Sequence, residues 1–220
     1  MAVSTQEIEA GSSGPRTQRG SRSRESIRVA ARRAFRDVGY AGARVSDIAE
    51  DAGFSNGAFY RYFADKEAVM LSLLEDLLAD AIVFAHAPWE EDKPAESIYV
   101  TTERYLNFYS DNADLFRVLV EASQSNAQVE EIWAKARDQV VGRVARMIAR
   151  AKHIGVARSD LDTQMAAVLL VSMTDHYAYL RFILGRVPAR SISRASREIS
   201  TLWAHGAFVT PPPAKRTRTA

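Results

Sequence analysis

The fold is decided by residues 24–70, which read RESIRVAARRAFRDVGYAGARVSDIAEDAGFSNGAFYRYFADKEAVM. In the first part of this stretch, apolar residues recur at the spacing of one helix face, and most arginines lie off that face. The pattern predicts an amphipathic helix over residues 23–38 that ends at Gly39. The apolar face consists of Ile27, Ala30, Ala31, Ala34, Phe35 and Val38.

Two short helices joined by a tight turn are predicted next, over residues 45–52 and 56–63. Gly53 permits the positive φ angle that the turn requires, and Ser55 is a favourable N-cap for the second helix. Such a helix-turn-helix can project its second helix into the major groove of DNA, although three-helix domains without a DNA function have the same spacing. The small core beneath that helix is predicted to contain Ile48, Phe54 and Phe59.

The pattern of apolar residues stays helical beyond these first three predicted helices. Asp65 is predicted to cap a long helix that ends near residue 86. The sequence shows neither the alternation typical of strands nor an internal repeat. We therefore predict an all-α fold of about nine helices. The later helices are predicted over residues 94–110, 113–125, 129–154, 161–184 and 191–208.

The composition excludes several classes of protein. Hydrophobic residues make up 47% of the 220 residues, enough for a substantial core, and there is no cysteine. Disulfide and thiolate chemistry are thereby excluded, and we expect a reducing, cytoplasmic location. The longest mostly apolar run, residues 165–173, is far shorter than the ~20 residues of a membrane-spanning helix. We also expect no secretory signal and no membrane partner.

The net charge of +2 is distributed unevenly. Residues 1–62 hold ten arginines and seven acidic residues, whereas residues 63–131 hold four basic and fifteen acidic residues. Residues 132–220 hold fifteen basic and five acidic residues. A basic head beside an acidic middle favours a polyanion as the partner of the head, although ordinary surface variation produces similar patterns.

Residues 24–70 resemble the DNA-binding domain of the TetR family of one-component transcriptional regulators. The matching segments are AFRDVGY at 34–40, VSDIAEDAG at 45–53, SNGAFYRYF at 55–63 and DKE at 65–67. The resemblance implies a homodimeric repressor that binds a palindromic operator in double-stranded DNA and releases it when a small effector binds the C-terminal domain. The alternative is a helical DNA-binding or architectural protein without an effector.

The composition of the two ends and the resemblance together predict how the chain is divided. Residues 1–22 are expected to form a disordered basic arm and residues 23–65 the helix-turn-helix domain. Residues 66–209 would form the effector-binding and dimerisation domain, followed by a disordered tail at 210–220.

The second helix of the helix-turn-helix, predicted over residues 56–63, has side chains that can read bases. Asn56 can pair with adenine, Arg61 can pair with guanine, and Tyr60 can touch a thymine methyl group. In the family pattern, Ser46 points from the preceding helix towards the bases. The predicted base-reading residues are Ser46, Asn56, Gly57, Ala58, Tyr60 and Arg61.

Other side chains are expected to bind phosphates and set the register on DNA. Arg44 stands where many relatives have threonine or serine, so it can grip a phosphate but is a poor N-cap. The predicted phosphate ligands are Arg44, Ser55, Tyr62 and Lys66. The arginines of the N-terminal arm either lie in the adjacent minor groove or belong to a disordered tail. These are Arg16, Arg19, Arg22 and Arg24.

The C-terminal domain is expected, by the same resemblance, to enclose a mostly apolar pocket for an apolar or amphipathic effector. Aromatic and methionine side chains at helical spacing also occur in ordinary cores. The predicted lining consists of Tyr105, Phe108, Trp133, Met147, Met173 and Thr174.

Apolar seams on the last two helices predict a two-fold symmetric four-helix dimer interface, with an internal core as the alternative. The predicted interface residues are Leu169, Tyr177, Leu180, Ile199, Leu202 and Trp203.

Nothing in the sequence indicates catalysis, a cofactor or a metal. No two of the four histidines have the spacing that would let them bind one metal ion from the same helix. Asp175 and His176 are adjacent in sequence, so on a helix their side chains point in different directions. No glycine-rich nucleotide-binding loop follows a strand. We therefore expect no enzymatic activity.

Overall fold

The computed structural model describes residues 18–84, 89–90, 93–188 and 190–208. Nine α-helices lie within these ranges, and the extended pairing found there is a single bridge between Ala157 and Phe208. The predicted all-α fold is thereby confirmed. The chain divides into two compact units, Met1–Met70 and Leu71–Ala220.

The first unit is a three-helix head completed by the start of a fourth helix. It contains α1 (Gln18–Gly42), α2 (Val45–Asp51), α3 (Asn56–Phe59) and the first turn of α4 (Lys66–Phe84). Most of the predicted apolar face of α1 is buried, but Ala34 is half-buried and Val38 is 60% exposed. The core of the head includes Ile27, Ala30, Ala31, Phe35, Ile48, Ala49 and Phe59.

Helix α1 is longer than predicted at both ends. It begins at Gln18, so residues 18–22, which were predicted to be a disordered arm, are helical. Gly20 is buried, and the Ser23 hydroxyl donates to the Arg19 carbonyl oxygen one turn earlier. Gly39 does interrupt the helix, with φ 73° and ψ 167°, but helical hydrogen bonding resumes and carries α1 to its end.

Helix α3 is shorter than predicted. After Phe59 the chain turns more tightly, because Arg61 N–H donates to the Ala58 carbonyl oxygen and Tyr62 N–H donates to that of Phe59. These i to i+3 bonds replace the i to i+4 bonds of an α-helix. We refer to residues 55–62, which comprise the N-cap, α3 and this turn, as the recognition segment.

The second unit is a bundle of longer helices. Helix α5 packs against α9, and α7 packs against α8. Helix α8 continues directly into a π-helical turn, Tyr179–Ile183. The bounds are α5 Pro94–Asp111, α6 Ala113–Ser123, α7 Ala127–His153, α8 Thr163–Ala178 and α9 Ile192–Ala207.

Side-chain caps define where three of these helices begin. Asn126 accepts hydrogen bonds from the backbone N–H groups at the start of α7. Asp162 does the same for α8, and Ser191 does so for α9. Each cap satisfies donors that have no partner within the helix, which explains why the helices start here.

The end of α9 is tied into the core of the second unit. Phe208 pairs with Ala157, and the Arg158 N–H donates to the Ala207 carbonyl oxygen at 3.0 Å. Both Ala207 and Phe208 belong to a buried cluster with Ile98. Among the described helices, none combines the length and apolar character needed to cross a membrane. Within the same ranges, no three acidic or histidine side chains gather as a metal site would require.

Candidate nucleic-acid interface and internal cavity

The recognition segment presents polar side chains to solvent from a rigid base. The Ser55 hydroxyl caps α3 by accepting a hydrogen bond from Ala58 N–H at 3.3 Å. Asn56, Gly57 and Arg61 are exposed, whereas Ala58 is half-buried. The predicted base-reading residues of this segment therefore lie together on one short stretch of the surface.

Buried aromatic rings hold this segment in place. Phe59 is fully buried and Phe63 is nearly so, and their ring centroids lie 6.2 Å apart. Tyr60 meets the Phe59 ring edge-on at 5.5 Å while 56% of its own surface stays exposed. The Tyr60 side chain is thus supported from below and remains available for an outside partner.

The remaining residues predicted to contact DNA differ in how exposed their side chains are. Ser46 and Arg44 are exposed at the start of α2, where the Arg44 side chain makes no capping bond. Tyr62 is half-buried against Phe54, with ring centroids 5.9 Å apart.

Lys66 performs a structural task that the sequence did not reveal. Its ammonium group donates to the carbonyl oxygens of Tyr40 at 2.8 Å and Ala43 at 2.9 Å, and it lies 4.5 Å from the centre of the Tyr40 ring. Lys66 therefore fastens the end of α1 to the start of α4, using two of its three hydrogens.

The arginines predicted for the N-terminal arm require a correction. Arg19, Arg22 and Arg24 lie in α1, while Arg16 lies outside the described residues. The Arg24 guanidinium lies 4.2 Å from the centre of the Phe63 ring and donates to the Tyr62 carbonyl oxygen at 3.4 Å. Arg24 thus braces the end of the recognition segment instead of belonging to a free arm.

The second unit contains a cavity of about 180 Å³ between α4, α5, α7 and α8. Its lining is mostly apolar, as is typical of small-molecule sites. Four of the predicted residues line it: Tyr105, Trp133, Met147 and Thr174.

Phe108 and Met173 do not line this cavity, and their prediction needs correction. Phe108 is buried against Phe116, with ring centroids 6.1 Å apart, and so belongs to the core. Met173 lies on another face of α8, where it lines a shallow hollow together with Leu169 and Leu202. Neighbouring positions on a helix point in different directions, and Met173 directly precedes the cavity residue Thr174.

A polar network at the cavity wall was missed from the sequence. The Tyr105 hydroxyl donates to Asp175 Oδ1 at 2.7 Å, and Arg137 Nη2 lies 3.2 Å from Asp175 Oδ2. Burial raises the pKa of Asp175, against the opposing effects of Tyr105 and Arg137. Burial and the nearby Asp175 also raise the pKa of Tyr105 well above its ordinary value, so the phenol keeps its proton.

Arg143 and Trp89 also line the cavity. Arg143 lies on the same face of α7 as Trp133 and Met147, and that spacing could have identified it. Trp89 precedes α5, and no acceptor for its buried indole N–H is found among the described residues. Nothing in the local sequence marks Trp89 as a cavity residue.

The predicted dimer residues separate into two groups. Leu202 is 65% exposed and Leu169 is 57% exposed, while Tyr177 and Leu180 are half-buried. Ile199 is only 7% exposed and therefore offers almost no surface to a partner, which corrects its assignment to a dimer seam.

Trp203 also belongs mainly to the second unit itself. It packs against buried side chains of two core clusters. These clusters include Ile98, Ala151, Phe208, Ile148 and Ala167.

Sequence comparison matches both parts of the chain to family models. Residues 27–73 match the model described as bacterial regulatory proteins of the tetR family. Residues 98–205 match the model of the C-terminal domain of the transcriptional regulator EthR.

Individual relatives agree with these matches. The HTH-type transcriptional regulator EthR of Mycolicibacterium smegmatis is 26% identical over 207 residues, covering 90% of this chain and 95% of that protein. The HTH-type transcriptional repressor AcnR of Corynebacterium diphtheriae is 26% identical over 157 residues, covering 70% of this chain and 78% of that protein.

Solved structures share the fold. The fatty acid degradation regulator FadR from Bacillus halodurans has a TM-score of 0.68 at 19% identity and covers 89% of this chain and 98% of that one. A putative regulator from Saccharomonospora viridis in complex with choline also has a TM-score of 0.68, at 18% identity, and covers 86% of this chain and 100% of that one. The helix-turn-helix head, the helical second unit and the two family models together establish that this chain belongs to the TetR family of bacterial transcriptional regulators.

Proposed function

We propose that this regulator is a repressor that binds a palindromic operator as a homodimer and releases it when a small apolar or amphipathic effector occupies the cavity. The observation that carries the DNA-binding part is the recognition segment, in which exposed polar side chains stand on buried Phe59 and Phe63. The relatives named as repressors support repression over activation.

Two heads on one palindrome explain how a short segment achieves selectivity. A single α3 with its turn reaches few base pairs, whereas two linked heads multiply affinity and selectivity. Arg61 and Asn56 would read base edges through paired hydrogen bonds, and Ser46 and Tyr60 would add contacts. Arg44, Ser55, Tyr62 and the third hydrogen of Lys66 would hold phosphates.

Helix α4 would link effector binding to DNA release. Its first turn belongs to the head, and its later residues Leu78, Ala81 and Ile82 line the cavity. A ligand that favours one position of α4 would change the spacing of the two recognition segments. For release to follow, the ligand must bind the DNA-free conformation more tightly.

Selection of bound sequences from random duplex DNA by the purified full chain tests this proposal. The selected sequences should form a palindrome. Arg61→Ala should then relax selectivity at one position in each half-site, weakening the preferred base there by about 1–3 kcal/mol. A chain that ignores duplex DNA at low salt, or that selects no repeated motif, would refute the proposal.

A further inference from the structure

The recognition segment is too short to fix its own orientation. Its helix α3 has four residues, and the chain that follows is held by i to i+3 bonds from the N–H groups of Arg61 and Tyr62. A single helical turn is unstable by itself in water, so contacts with the rest of the head decide how the segment lies. The direction of the Arg61 side chain, which is proposed to read a base edge, depends on those contacts.

The beginning of the segment is fixed by its own residues. The Ser55 hydroxyl accepts a hydrogen bond from Ala58 N–H, and the Phe59 ring is fully buried beneath the helix. Both contacts lie before Arg61 in the chain. The contacts at the other end of the segment therefore decide where the Arg61 side chain points.

Arg24 on α1 holds that other end. Its Nη1 donates to the Tyr62 carbonyl oxygen at 3.4 Å, and its guanidinium carbon lies 4.2 Å from the centre of the Phe63 ring. These two contacts hold both sides of the peptide bond that joins Tyr62 to Phe63. Arg24 is half-buried and Phe63 is 4% exposed, and such shielding from water strengthens both interactions.

The chemistry of Arg24 suits this double contact. A guanidinium is planar, so its face can stack on an aromatic ring while an N–H at its edge donates to a carbonyl oxygen. The Tyr62 ring packs against Phe54, with ring centroids 5.9 Å apart. The chain directly after Arg61 is thus held through the Tyr62 ring, the Tyr62 carbonyl group and the Phe63 ring.

We propose that Arg24 is a positioning residue for DNA recognition, which sets the direction of Arg61 by holding the Tyr62 carbonyl group and the Phe63 ring. A side chain that reads a base has to be held to within about 0.5 Å of its productive position. This inference rests on the proposed function, because it takes Arg61 to read a base. It adds a residue outside the two helices of the helix-turn-helix on which selectivity depends.

Discrimination between bases tests the proposal. Affinities are measured for duplexes that differ only at the half-site position that Arg61→Ala relaxes. Arg24→Met keeps a long side chain but removes the donor to the Tyr62 carbonyl oxygen, so the preference for the selected base should fall about fivefold or more. A mere loss of folded protein would weaken binding of all these duplexes equally. Equal weakening, or an unchanged preference, would overturn the inference.

Two further measurements separate positioning from direct contact with DNA. In the Arg61→Ala background, Arg24→Met should cause no further loss of preference at that position, because both changes act through the Arg61 side chain. The slope of log affinity against log salt should match that of the control variant, whereas loss of a phosphate contact would reduce it by about 1. An additive loss of preference, or a slope reduced below that of the control, would contradict positioning.

Arg33→Met is the matched control. Arg33 also lies on α1, and its Nε is 3.0 Å from Asp51 Oδ2 at the end of α2, in a pair whose side chains are about half exposed. The variant removes the same charge and one contact between helices, but none to the recognition segment. It should leave the base preference unchanged, and an equal loss in both variants would contradict the role of Arg24. If Arg24→Met does not fold, Arg24→Gln, with its shorter side chain, is judged by the same criteria.

Hydrogen exchange distinguishes this inference from the proposed function, because it requires no DNA. In Arg24→Met, the N–H groups of Arg61 and Tyr62 should exchange about tenfold faster relative to that of Phe35 on α1. Unchanged exchange would overturn the inference even if the parent chain selects an operator, and the proposed function would then stand. If exchange is faster but the parent chain binds no duplex, the proposed function fails while the tie from Arg24 to the recognition segment is confirmed.

Discussion

Lys66 joins the end of α1 to the start of α4 through the carbonyl oxygens of Tyr40 and Ala43. Lys66→Met removes both charge-assisted hydrogen bonds, so the free energy of unfolding should fall by about 1.5–3 kcal/mol in urea titrations. The control is Arg44→Met, because exposed Arg44 makes no capping bond and its loss should change stability by about 0.5 kcal/mol or less.

Arg44→Met also tests phosphate binding, because Arg44 is proposed to hold a phosphate and its side chain makes no capping bond. Loss of one phosphate contact should reduce the slope of log affinity against log salt by about 1. We expect that change for Arg44→Met. An unchanged slope for Arg44→Met, or an unchanged urea midpoint for Lys66→Met, would contradict these roles.

Asp175 makes stability depend on pH in an unusual direction for a carboxylate. Burial raises its pKa above the ordinary 3.8, so the folded state holds the proton more tightly than the unfolded state does. Its ionisation therefore lowers stability as pH rises from 3.8 through the raised pKa. Asp175→Asn should be more stable than the parent at pH 7, and this advantage should shrink in urea titrations as pH approaches 4. A constant difference across that range would show that ionisation of Asp175 is not responsible.

The residues most visible in the sequence were those whose role is set locally. The N-cap Ser55 and the buried Ile48 and Phe59 follow from spacing and side-chain chemistry. The pairing of Tyr105 with Asp175 joins residues far apart in the chain, and no local pattern specifies it.

At the scale of elements, Gly39 forms the kink that interrupts α1 before its end at Gly42. Its φ of 73° is a conformation that residues with a Cβ rarely adopt. Gly39→Ala should lower the free energy of unfolding by about 1–3 kcal/mol, measured by urea denaturation.

Gly142→Ala is the control, because Gly142 lies inside α7 and an added Cβ would meet Arg146 only at an ordinary 3.5 Å. That change should raise stability by about 0.5–1 kcal/mol, because alanine favours the helix. A neutral effect of Gly39→Ala would show that the kink tolerates other residues.

Caps and glycines placed most helix ends correctly, because their chemistry is local. Ser191 caps α9 where the sequence places its start. The early start of α1 at Gln18 and the end of α3 at Phe59 departed from the prediction. The segment before residue 23 is rich in serine and arginine, a composition that predicts disorder when its packing is unknown. The tight turn after Phe59 depends on the aromatic core beneath it, which the local sequence does not specify.

At the scale of the whole molecule, exposed apolar side chains on α8 and α9 carry the prediction of a dimer. Leu202→Arg and Leu169→Arg should give a monomer in analytical ultracentrifugation and weaken operator binding by about 100-fold, since the second head no longer adds to affinity. The parent leucines are 65% and 57% exposed, so the fold should be retained.

Ile154→Arg is the control for charge, because Ile154 is 43% exposed at the end of α7 and lies outside the predicted seam. It should leave both mass and affinity unchanged. A dimer that persists in both leucine variants would place the interface elsewhere.

The arrangement of helices set the limit of what the sequence could predict. The family resemblance predicted a cavity in the second unit, and Tyr105 and Trp133, which were predicted to line it, do so. Spacing alone did not separate a core position from a cavity or an interface, as Phe108 and Ile199 show. That distinction depends on which helices pack together.

The tie between Phe208 and Ala157 has a consequence for synthesis on the ribosome. The head uses residues up to Met70, whereas the buried cluster around Ile98 requires the residues that end α9. Domains emerge from the ribosome and fold in order from the N-terminus. The head can therefore fold before the pairing of Phe208 with Ala157 completes the second unit. A nascent chain would thus complete its head before its second unit, and translation arrest shortly before residue 208 would leave the second unit unfinished.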